Sequence, residues 1–516
     1  MTTITGGSTE KVLRARHALA LLPTLCLAAA GTALLLVLSG RYGYFGDELY
    51  FVSAGRHLDW GYADQPPLVP LIAVAMDTLF PGSLTALRAP AALAYGVGVV
   101  VAALVARELG ADRRAQLYTA TAYAIGFLAL HRNLNTIAFD ILMWTALTWL
   151  LIRWVRTHAE GVADDRLLLW AGVAVAISTQ VKFQVVVFAV LLAVTLAIVG
   201  PREMLRRPKL WAGAAIATVA VIPTLVWQAA NGWPQIEMGS AVSAEMSSGS
   251  LGGPLMTAAL ILLTFGPVFG MVLGIYGMWR LVRSQDLRPF RFLGWTALGV
   301  IVVFALVNGR PYYMAGVLPV LWAAGAIGFQ RRREAAESRR AWSWVAVPAI
   351  AVSAILPLGA MPLQDVTTLS GPSQRMLDFR LDEIGWPKLA SDVAEIHRGV
   401  PPQQQKDTVV ITSSYWTAAA LDFYDDRHDL PDVYSGSRGY WFFGQPPADA
   451  ETVIHVGKIR PEVDRYFTDV RQVGEIDNGR DIQNLSQGSP IFLAKVAEGV
   501  DWNRAWPDFQ RINAVG

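Results

Sequence analysis

Residues 17–39 read HALALLPTLCLAAAGTALLLVLS, a run in which His17 is the only ionisable side chain apart from Cys26. A helix needs about 20 consecutive apolar residues to cross a bilayer. Lys11, Arg14 and Arg16 precede the run, and no small-residue cleavage site follows it cleanly. We therefore interpret it as an uncleaved first transmembrane helix. The positive-inside rule then predicts a cytoplasmic N-terminus and an outer loop at 41–87.

The composition agrees with a membrane protein that also has a soluble part. Of the 516 residues, 53% are hydrophobic and 16% are charged, whereas an ordinary soluble domain carries about 25% charged residues. The 43 basic and 41 acidic residues nearly balance, which gives no reason to expect a nucleic-acid partner. Cys26 is the only cysteine, so no intrachain disulfide or thiolate metal site is possible. The last 156 residues hold 23 of the acidic residues, which predicts a second, soluble segment.

Further apolar stretches predict a polytopic α-helical membrane protein with about eleven transmembrane helices. The predicted spans after the first are residues 88–106, 115–131, 137–152, 166–181, 183–199, 210–229, 254–280, 291–307, 312–329 and 341–359. Arginine is concentrated in alternate loops, as the positive-inside rule requires. This alternation predicts a multi-pass protein of the plasma (inner) membrane. Its parts are a transmembrane domain at 1–360 and an extracytoplasmic domain at 361–516.

Two segments have a different pattern. Residues 66–80 are too short to span and contain Asp77, so we predict a re-entrant or interfacial helix in the outer loop. In the C-terminal domain, residues 408–416, 452–457 and 491–496 are typical of strands. Residues 386–398 and 416–424 are typical of helices. Strands that alternate with helices predict a small α/β domain.

The first outer loop concentrates ionisable residues beside an apolar helix end. These residues are Asp47, Glu48, Arg56, His57, Asp59 and Asp64. Carboxylates at a membrane boundary are costly unless they are solvated or paired. One interpretation is a solvated juxtamembrane loop. The other is a reaction site at the membrane surface, in which a carboxylate is a general base.

Other predicted outer helix ends contribute further candidates. Asp140 lies near the outer start of the fourth predicted span, where an ionisable residue is a functional candidate. Lys182 is the only lysine between Lys11 and Lys209, although a snorkelling lysine would have the same pattern. Arg310, Tyr312 and Tyr313 follow at the same predicted face. Cations and hydroxyl groups of this kind suit a substrate with an anionic phosphate.

The chain resembles the GT-C class of membrane glycosyltransferases, specifically glycosyltransferase family 39, over nearly its whole length. That family includes protein O-mannosyltransferases and bacterial aminoarabinose transferases. The segments that carry the resemblance are FGDELYF (45–51), HLDWGYADQPPL (57–68), LRAPAAL (87–93), Asp140, TQVKF (179–183), LVWQAANGWP (225–234) and GRPYYMAGVLPVLWAAGA (309–326). Their combination in this order is the specific signal, since each alone is weak.

The resemblance implies an inverting transfer of a sugar from a polyprenyl-phosphate donor outside the cytoplasm. It implies that Asp47 is the base that activates the acceptor, with Glu48 supporting the site. The leaving phosphate needs cations rather than a general acid. Our candidates for this role are Lys182, Arg310 and Tyr313, and further candidates are Arg56 and Arg88. The acceptor, whether glycan, lipid or protein, is left open.

One position departs from the family pattern. Related sequences often have His or Lys where this chain has Gln65, which supplies no charge to a phosphate and is a poor metal ligand. We therefore predict no obligatory metal cofactor and a hydrogen-bonding or accessory role for Asp64. Two other classes stay open. A lipid or sugar transporter would place ionisable residues near the bilayer midplane. A sensor or assembly protein would use the outer domain and lack transferase chemistry.

Overall fold

The computed structural model describes residues 17–248, 253–337, 343–369 and 379–513. Lys11, Arg14 and Arg16, which precede the first predicted span, lie outside these ranges. The chain divides into two compact units. The helical unit contains residues up to 37 together with 88–226 and 242–361. The sheet unit contains residues 38–87, 227–241 and 362 onward, so it includes the first predicted outer loop.

Helices dominate the described residues. In chain order they are α1 (Leu21–Leu38), α2 (Gly46–Arg56), α3 (Leu68–Leu79), α4 (Leu84–Glu108), α5 (Arg113–Phe127), α6 (Thr136–Ala159), α7 (Arg166–Thr179), α8 (Gln184–Val199), α9 (Pro208–Ala230), α10 (Pro234–Ser247), α11 (Pro254–Thr264), α12 (Val268–Arg283), α13 (Arg291–Leu306), α14 (Leu318–Ala335), α15 (Ser343–Gly359), α16 (Trp386–Arg398), α17 (Pro402–Gln405), α18 (Tyr415–His428), α19 (Pro461–Asp464) and α20 (Trp502–Phe509). Short 3-10 helices cover Ala129–His131, Arg202–Arg206, Arg288–Phe290, Pro311–Val317, Val366–Thr368, Leu381–Glu383 and Arg438–Phe443.

The helices identify a multi-pass membrane protein. Among the described residues, six helices are long and apolar enough to cross a membrane: Leu21–Leu38, Leu84–Glu108, Thr136–Ala159, Pro208–Ala230, Arg288–Leu306 and Pro311–Ala335. The pair α11 and α12 adds a seventh if it forms one broken span. Four more helices are apolar but shorter: Leu68–Leu79, Arg166–Thr179, Gln184–Val199 and Trp344–Gly359. The predicted count of eleven is therefore not confirmed.

The predicted continuous span at 254–280 is wrong in one respect. The structure breaks it between α11 and α12, whose axes differ in direction by 109°. Gly266 has φ of +96° at the break, and Pro267 follows it. A positive φ leaves the right-handed helical region, and proline lacks the N–H that would continue the hydrogen bonds. The apolar composition alone concealed this break.

Small residues allow close helix packing in the helical unit. A Cβ atom on Gly277 of α12 would lie 1.8 Å from the carbonyl oxygen of Leu321 in α14. A Cβ on Gly325 of α14 would lie 2.1 Å from the carbonyl oxygen of Leu273 in α12. The two backbones therefore approach to distances that only glycine permits, as is common between membrane helices.

The sheet unit contains a five-stranded mixed sheet. Its strands are β1 (Thr408–Thr412), β2 (Val433–Ser435), β3 (Thr452–Val456), β4 (Phe467–Glu475) and β5 (Pro490–Val496), in the order β2-β1-β3-β5-β4. β1 pairs in parallel with β2 and β3, whereas β5 pairs antiparallel with β3 and β4. The α/β character predicted for this segment is confirmed. β1, β3 and α20 contribute to one hydrophobic core, which includes Val409, Val453, Trp502, Trp506 and Phe509.

The predicted strand at 408–416 extends too far. β1 ends at Thr412 because Ser414 caps the start of α18. The Ser414 hydroxyl oxygen accepts a hydrogen bond from the Trp416 backbone N–H at 3.2 Å. This is an N-cap, which satisfies a backbone donor that the helix leaves unpaired. Within the sheet unit, the Trp416 ring packs against Phe45 with ring centroids 5.0 Å apart. α18 therefore reaches the start of α2, where the candidate base lies.

Candidate active site

Asp47 lies in the first turn of α2 and is half-buried. Its Oδ1 accepts hydrogen bonds from the Tyr415 hydroxyl and the Trp416 indole N–H, each at 2.8 Å. Among the described residues, no donor forms a hydrogen bond to Oδ2. The carboxylate is thus oriented through one oxygen, while the other can accept a proton from a bound molecule.

Glu48, the neighbouring acid, is fully buried and turns back toward the helix start. Its Oε2 accepts a hydrogen bond from the Phe45 backbone N–H at 2.9 Å. A negative charge here also interacts favourably with the helix dipole. Glu48 therefore stabilises the turn that presents Asp47, and its supporting role in chemistry stays a prediction.

Asp64 is buried in a charged and hydroxyl-bearing environment. The Tyr50 hydroxyl donates to Asp64 Oδ1 at 2.9 Å, and Arg438 Nη1 lies 3.3 Å from Oδ2. Burial raises the pKa of the Asp64 carboxyl, while the Arg438 charge opposes that rise. Burial also raises the pKa of the Tyr50 and Tyr415 hydroxyls well above the usual value, so both are hydrogen-bond donors at neutral pH.

Arg438 links the two aspartates. Its guanidinium carbon lies 4.0 Å from the centroid of the Tyr415 ring, whose hydroxyl group reaches Asp47. Its Nε and Nη2 donate to the Asn513 carbonyl oxygen, each at 3.2 Å. Sequence reasoning missed Arg438, Tyr415 and Trp416 as site residues. The available signal was the lone arginine in the aromatic-rich stretch PDVYSGSRGYWFFG (431–444), because a cation buried among aromatic residues requires a carboxylate.

Arg56 and His57 of the first loop contact side chains of their own unit. Arg56 lies 3.4 Å from Asp77 and 3.8 Å from Asp422. His57 stacks on Phe443 with ring centroids 4.7 Å apart and an interplanar angle of 4°. These contacts are structural, and a substrate-binding role for Arg56 and His57 stays a prediction.

The aromatic segment 440–443 packs against its own unit. Tyr440 is buried, and the Trp441 indole N–H donates to the Trp506 carbonyl oxygen at 3.0 Å. Phe442 lies 5.4 Å from Trp227 between ring centroids. These contacts show that the aromatic side chains pack within the unit.

The helical unit contains a second group of candidates. Lys182 Nζ lies 4.3 Å from the Tyr313 ring centroid and 5.7 Å from that of Tyr312, which is cation–π geometry. Asp140 is buried and accepts a hydrogen bond from the Ser178 hydroxyl at 2.9 Å. Its charge also interacts with that of Lys182. The structure thus brings together four predicted residues from three separate parts of the chain.

Arg310 and Arg88 are the other two predicted cations of the helical unit. Arg310 forms a bidentate pair with Glu245, with Nη1–Oε1 at 2.9 Å and Nη2–Oε2 at 2.8 Å. A carboxylate therefore already occupies the fork that would meet a phosphate. Arg88 lies in α4 and is 1% exposed.

The metal prediction has no structural test. No group of three or more His, Cys, Asp or Glu side chains that could hold a metal ion occurs within the described ranges. Gln65, at the position where the family that the chain resembles often has His or Lys, is buried. The absence of an obligatory metal stays a prediction.

Comparisons with known proteins define the class of fold. The sequence model of a family described as dolichyl-phosphate-mannose-protein mannosyltransferase matches residues 64–227. No curated protein matches the chain by sequence.

Solved structures match over most of the chain. ArnT from Cupriavidus metallidurans in the apo state is 15% identical and has a TM-score of 0.56, with 91% of this chain and 97% of that chain covered. ArnT from the same organism, bound to undecaprenyl phosphate, is 15% identical with a TM-score of 0.54, and the coverage is 92% and 98%. The oligosaccharyltransferase of Archaeoglobus fulgidus, in complex with Zn and sulfate, is 16% identical with a TM-score of 0.50, and the coverage is 86% and 68%. The chain therefore has the GT-C type of polytopic helical fold with a C-terminal sheet region.

Proposed function

We propose that this protein is a membrane glycosyltransferase that moves a sugar from a polyprenyl-phosphate donor to an acceptor hydroxyl on the extracytoplasmic face of the plasma membrane. The observation that carries the proposal is the geometry of Asp47. Two donors fix Oδ1, while Oδ2 accepts no hydrogen bond from the described residues. A general base needs this combination of fixed orientation and a free lone pair.

The proposed step is a single displacement. The acceptor hydroxyl oxygen forms a bond to the anomeric carbon, and its proton passes to Asp47 Oδ2. The bond between the anomeric carbon and the phosphate oxygen breaks, and the polyprenyl phosphate leaves with the electron pair. Attack opposite the leaving group inverts the anomeric configuration. The match of the fold to ArnT bound to undecaprenyl phosphate supports a lipid-phosphate donor.

Asp47→Asn tests the base directly. The asparagine side-chain oxygen can still accept the hydrogen bonds from Tyr415 and Trp416. Its NH2 group replaces Oδ2 and cannot accept the proton of the acceptor hydroxyl. We expect turnover of a polyprenyl-phosphate sugar to fall by about 10²–10⁴-fold, measured as release of polyprenyl phosphate by the purified protein.

The matched control is Asp469→Asn, which makes the same change on the exposed strand β4. This variant should keep wild-type turnover. Unchanged turnover in Asp47→Asn would exclude Asp47 as the base.

Lys182 is our proposed ligand for the donor phosphate in the helical unit. Tyr313 and Tyr312 flank its ammonium group, which places a cation beside two hydroxyl-bearing rings. Arg310 is a weaker candidate because Glu245 already binds its guanidinium.

Lys182→Met should raise KM for the lipid-linked donor by about tenfold, which corresponds to about 1.4 kcal/mol. Lys209→Met, at the start of α9 on the side predicted to be cytoplasmic, is the control. Equal KM values in the two variants would contradict the assignment.

A further inference from the structure

A cavity of about 480 Å³ lies within the sheet unit, beside the last residues of β1 and β3. Its wall includes Ser413 and Ser414, which follow β1, and Gly457 and Lys458, which follow β3. From β1 the chain continues through α18 to β2 on one side, and then returns to β3 on the other side. In α/β sheets, ligands bind outside the carboxyl ends of the strands at such a switch in strand order.

Three cations line the cavity without an acidic partner. They are Lys458, Arg460 and Arg511, and none of them has a carboxylate oxygen within 4.0 Å among the described residues. The backbone carbonyl groups of Asp508 and Phe509 accept hydrogen bonds from Arg460 Nη2 at 3.0 and 2.9 Å and hold its guanidinium in place.

Arg460 also interacts with charges beyond ion-pair distance. Burial lowers the pKa of its guanidinium, the charge of Glu462 opposes this, and the charge of Arg511 lowers the pKa further. Three cations that line one cavity, with no carboxylate in ion-pair contact among the described residues, favour an anionic ligand.

The backbone around the cavity also suits an anion. α18 begins at Tyr415, so the positive end of its dipole lies at the wall that Ser414 forms. Gly457 has φ of +100°, and a Cβ there would lie 1.9 Å from the Ser413 hydroxyl oxygen. The backbone that follows β3 at Gly457 therefore carries no side chain and lies close to the Ser413 hydroxyl group.

The rest of the wall favours a sugar beside the anion. Trp386 and Trp416 line it, together with Ser486 and Ser489 from the loop between β4 and β5. Aromatic faces and hydroxyl groups together complement a sugar ring, which has apolar faces and polar edges. The volume is that of a small-molecule site.

We propose that this cleft binds a sugar phosphate, with the phosphate at Lys458, Arg460 and Arg511 and the sugar toward the indole rings. The same chemistry is present in a free sugar phosphate and in the headgroup of a lipid-linked sugar. Trp416 lines the cleft and also donates to Asp47 Oδ1 at 2.8 Å, so the cleft and the candidate base share this residue. The binding itself does not depend on the transfer reaction.

Equilibrium dialysis of the purified full-length protein in neutral detergent tests the proposal. The probe is radiolabelled glucose 1-phosphate, with unlabelled inorganic phosphate, methyl glucoside and a short-chain polyprenyl-phosphate glucose as competitors. We expect saturable binding that added salt weakens and inorganic phosphate competes for, whereas uncharged methyl glucoside does not. If the polyprenyl-phosphate glucose competes with the probe, the site binds a lipid headgroup. If it does not compete, the site binds a soluble sugar phosphate. No saturable binding to the wild type overturns the proposal.

Variants place the probe in this cleft. Lys458→Gln with Arg511→Gln should weaken binding at least tenfold, because two of the three cations are lost. Lys406→Gln with Arg471→Gln removes the same charge from exposed positions outside the cavity and should keep wild-type affinity. Equal affinity in the two double variants overturns the proposal. Asp47→Asn should bind the probe normally, so a failure of the proposed transfer reaction is distinguishable from a failure of this site.

Discussion

Gly46 is the residue that allows Trp416 to reach the candidate base. A Cβ atom at this position would lie 2.2 Å from Trp416 Cγ, so any larger residue must displace the indole ring. The ring donates one of the two hydrogen bonds that orient Asp47. The absence of a side chain at Gly46 is therefore part of the site.

Gly46→Ala should lower turnover without unfolding the protein. Alanine favours the helix by about 1 kcal/mol, which offsets part of an overpacking cost of about 1–3 kcal/mol. The displaced Trp416 releases Asp47, and misplacement of a catalytic group by about 1 Å lowers rates on the order of 10²-fold. The measurement is kcat for polyprenyl phosphate release, together with thermal unfolding.

Gly239→Ala is the matched control, since Gly239 is also helical and a Cβ there would meet nothing within 4 Å. It should keep kcat near the wild-type value. Equal kcat in both glycine variants would show that the Trp416 contact does not matter.

The candidate residues differ in how far the sequence could identify them. Asp47 and Asp64 were predicted because carboxylates beside an apolar helix end are unusual. Arg438 and Tyr415 lie more than 360 positions later in the chain. Their contacts with the aspartates depend on tertiary packing within the sheet unit, which no local pattern encodes. A buried arginine implies a carboxylate partner, but only the structure identifies which one.

At the scale of the element, strand β3 carries a buried titratable group. His455 is 3% exposed, and its Nδ1 lies 3.1 Å from the Gly457 carbonyl oxygen. Burial lowers the pKa of His455 from 6.5 to about 4, although the backbone hydrogen bond opposes this. The folded domain therefore holds the ring neutral.

Acid should destabilise the sheet through this group. Between pH 6.5 and 4 the unfolded chain binds a proton that the folded domain does not, so the free energy of unfolding falls as the pH is lowered. The pKa difference corresponds to about 3 kcal/mol. Hydrogen exchange of peptides from β1 and β3, corrected for the pH dependence of intrinsic exchange, measures this loss. His455→Gln should lose stability less steeply than the wild type, and parallel pH profiles would contradict the prediction.

Element prediction succeeded where the pattern was local. Helix α16 was predicted at its observed bounds, since its apolar residues recur with helical spacing. Strands β2 and β4 were missed for different reasons. β2 has only three residues, and most residues of β4 are exposed, so neither shows a clear apolar alternation. The bend between α11 and α12 was missed because mean hydropathy does not register backbone angles.

At the scale of the whole molecule, sequence order and compact units differ. Residues 38–87 and 227–241 belong to the sheet unit although apolar helices of the helical unit lie between them in the chain. Asp47 and its partners Tyr415 and Trp416 therefore come from distant parts of the chain but lie in one unit. A boundary between residues 360 and 361 would assign Asp47 to one domain and Tyr415 and Trp416 to the other. The compact units keep these three residues together.

Membrane topology is the prediction that belongs to the whole chain. The eleven predicted spans are an odd number, which predicts that the two termini lie on opposite faces. The arginine-rich alternate loops predict that the N-terminus is cytoplasmic. Cys26 is the only cysteine, so Cys26→Ser gives a background in which single cysteines can be placed. Arg471→Cys, on exposed strand β4, should react with a membrane-impermeant thiol reagent in intact cells. Arg206→Cys, in a loop predicted to be cytoplasmic, should react only after permeabilisation. The reverse pattern would place the sheet unit in the cytoplasm, and the proposed extracytoplasmic transfer would then be wrong.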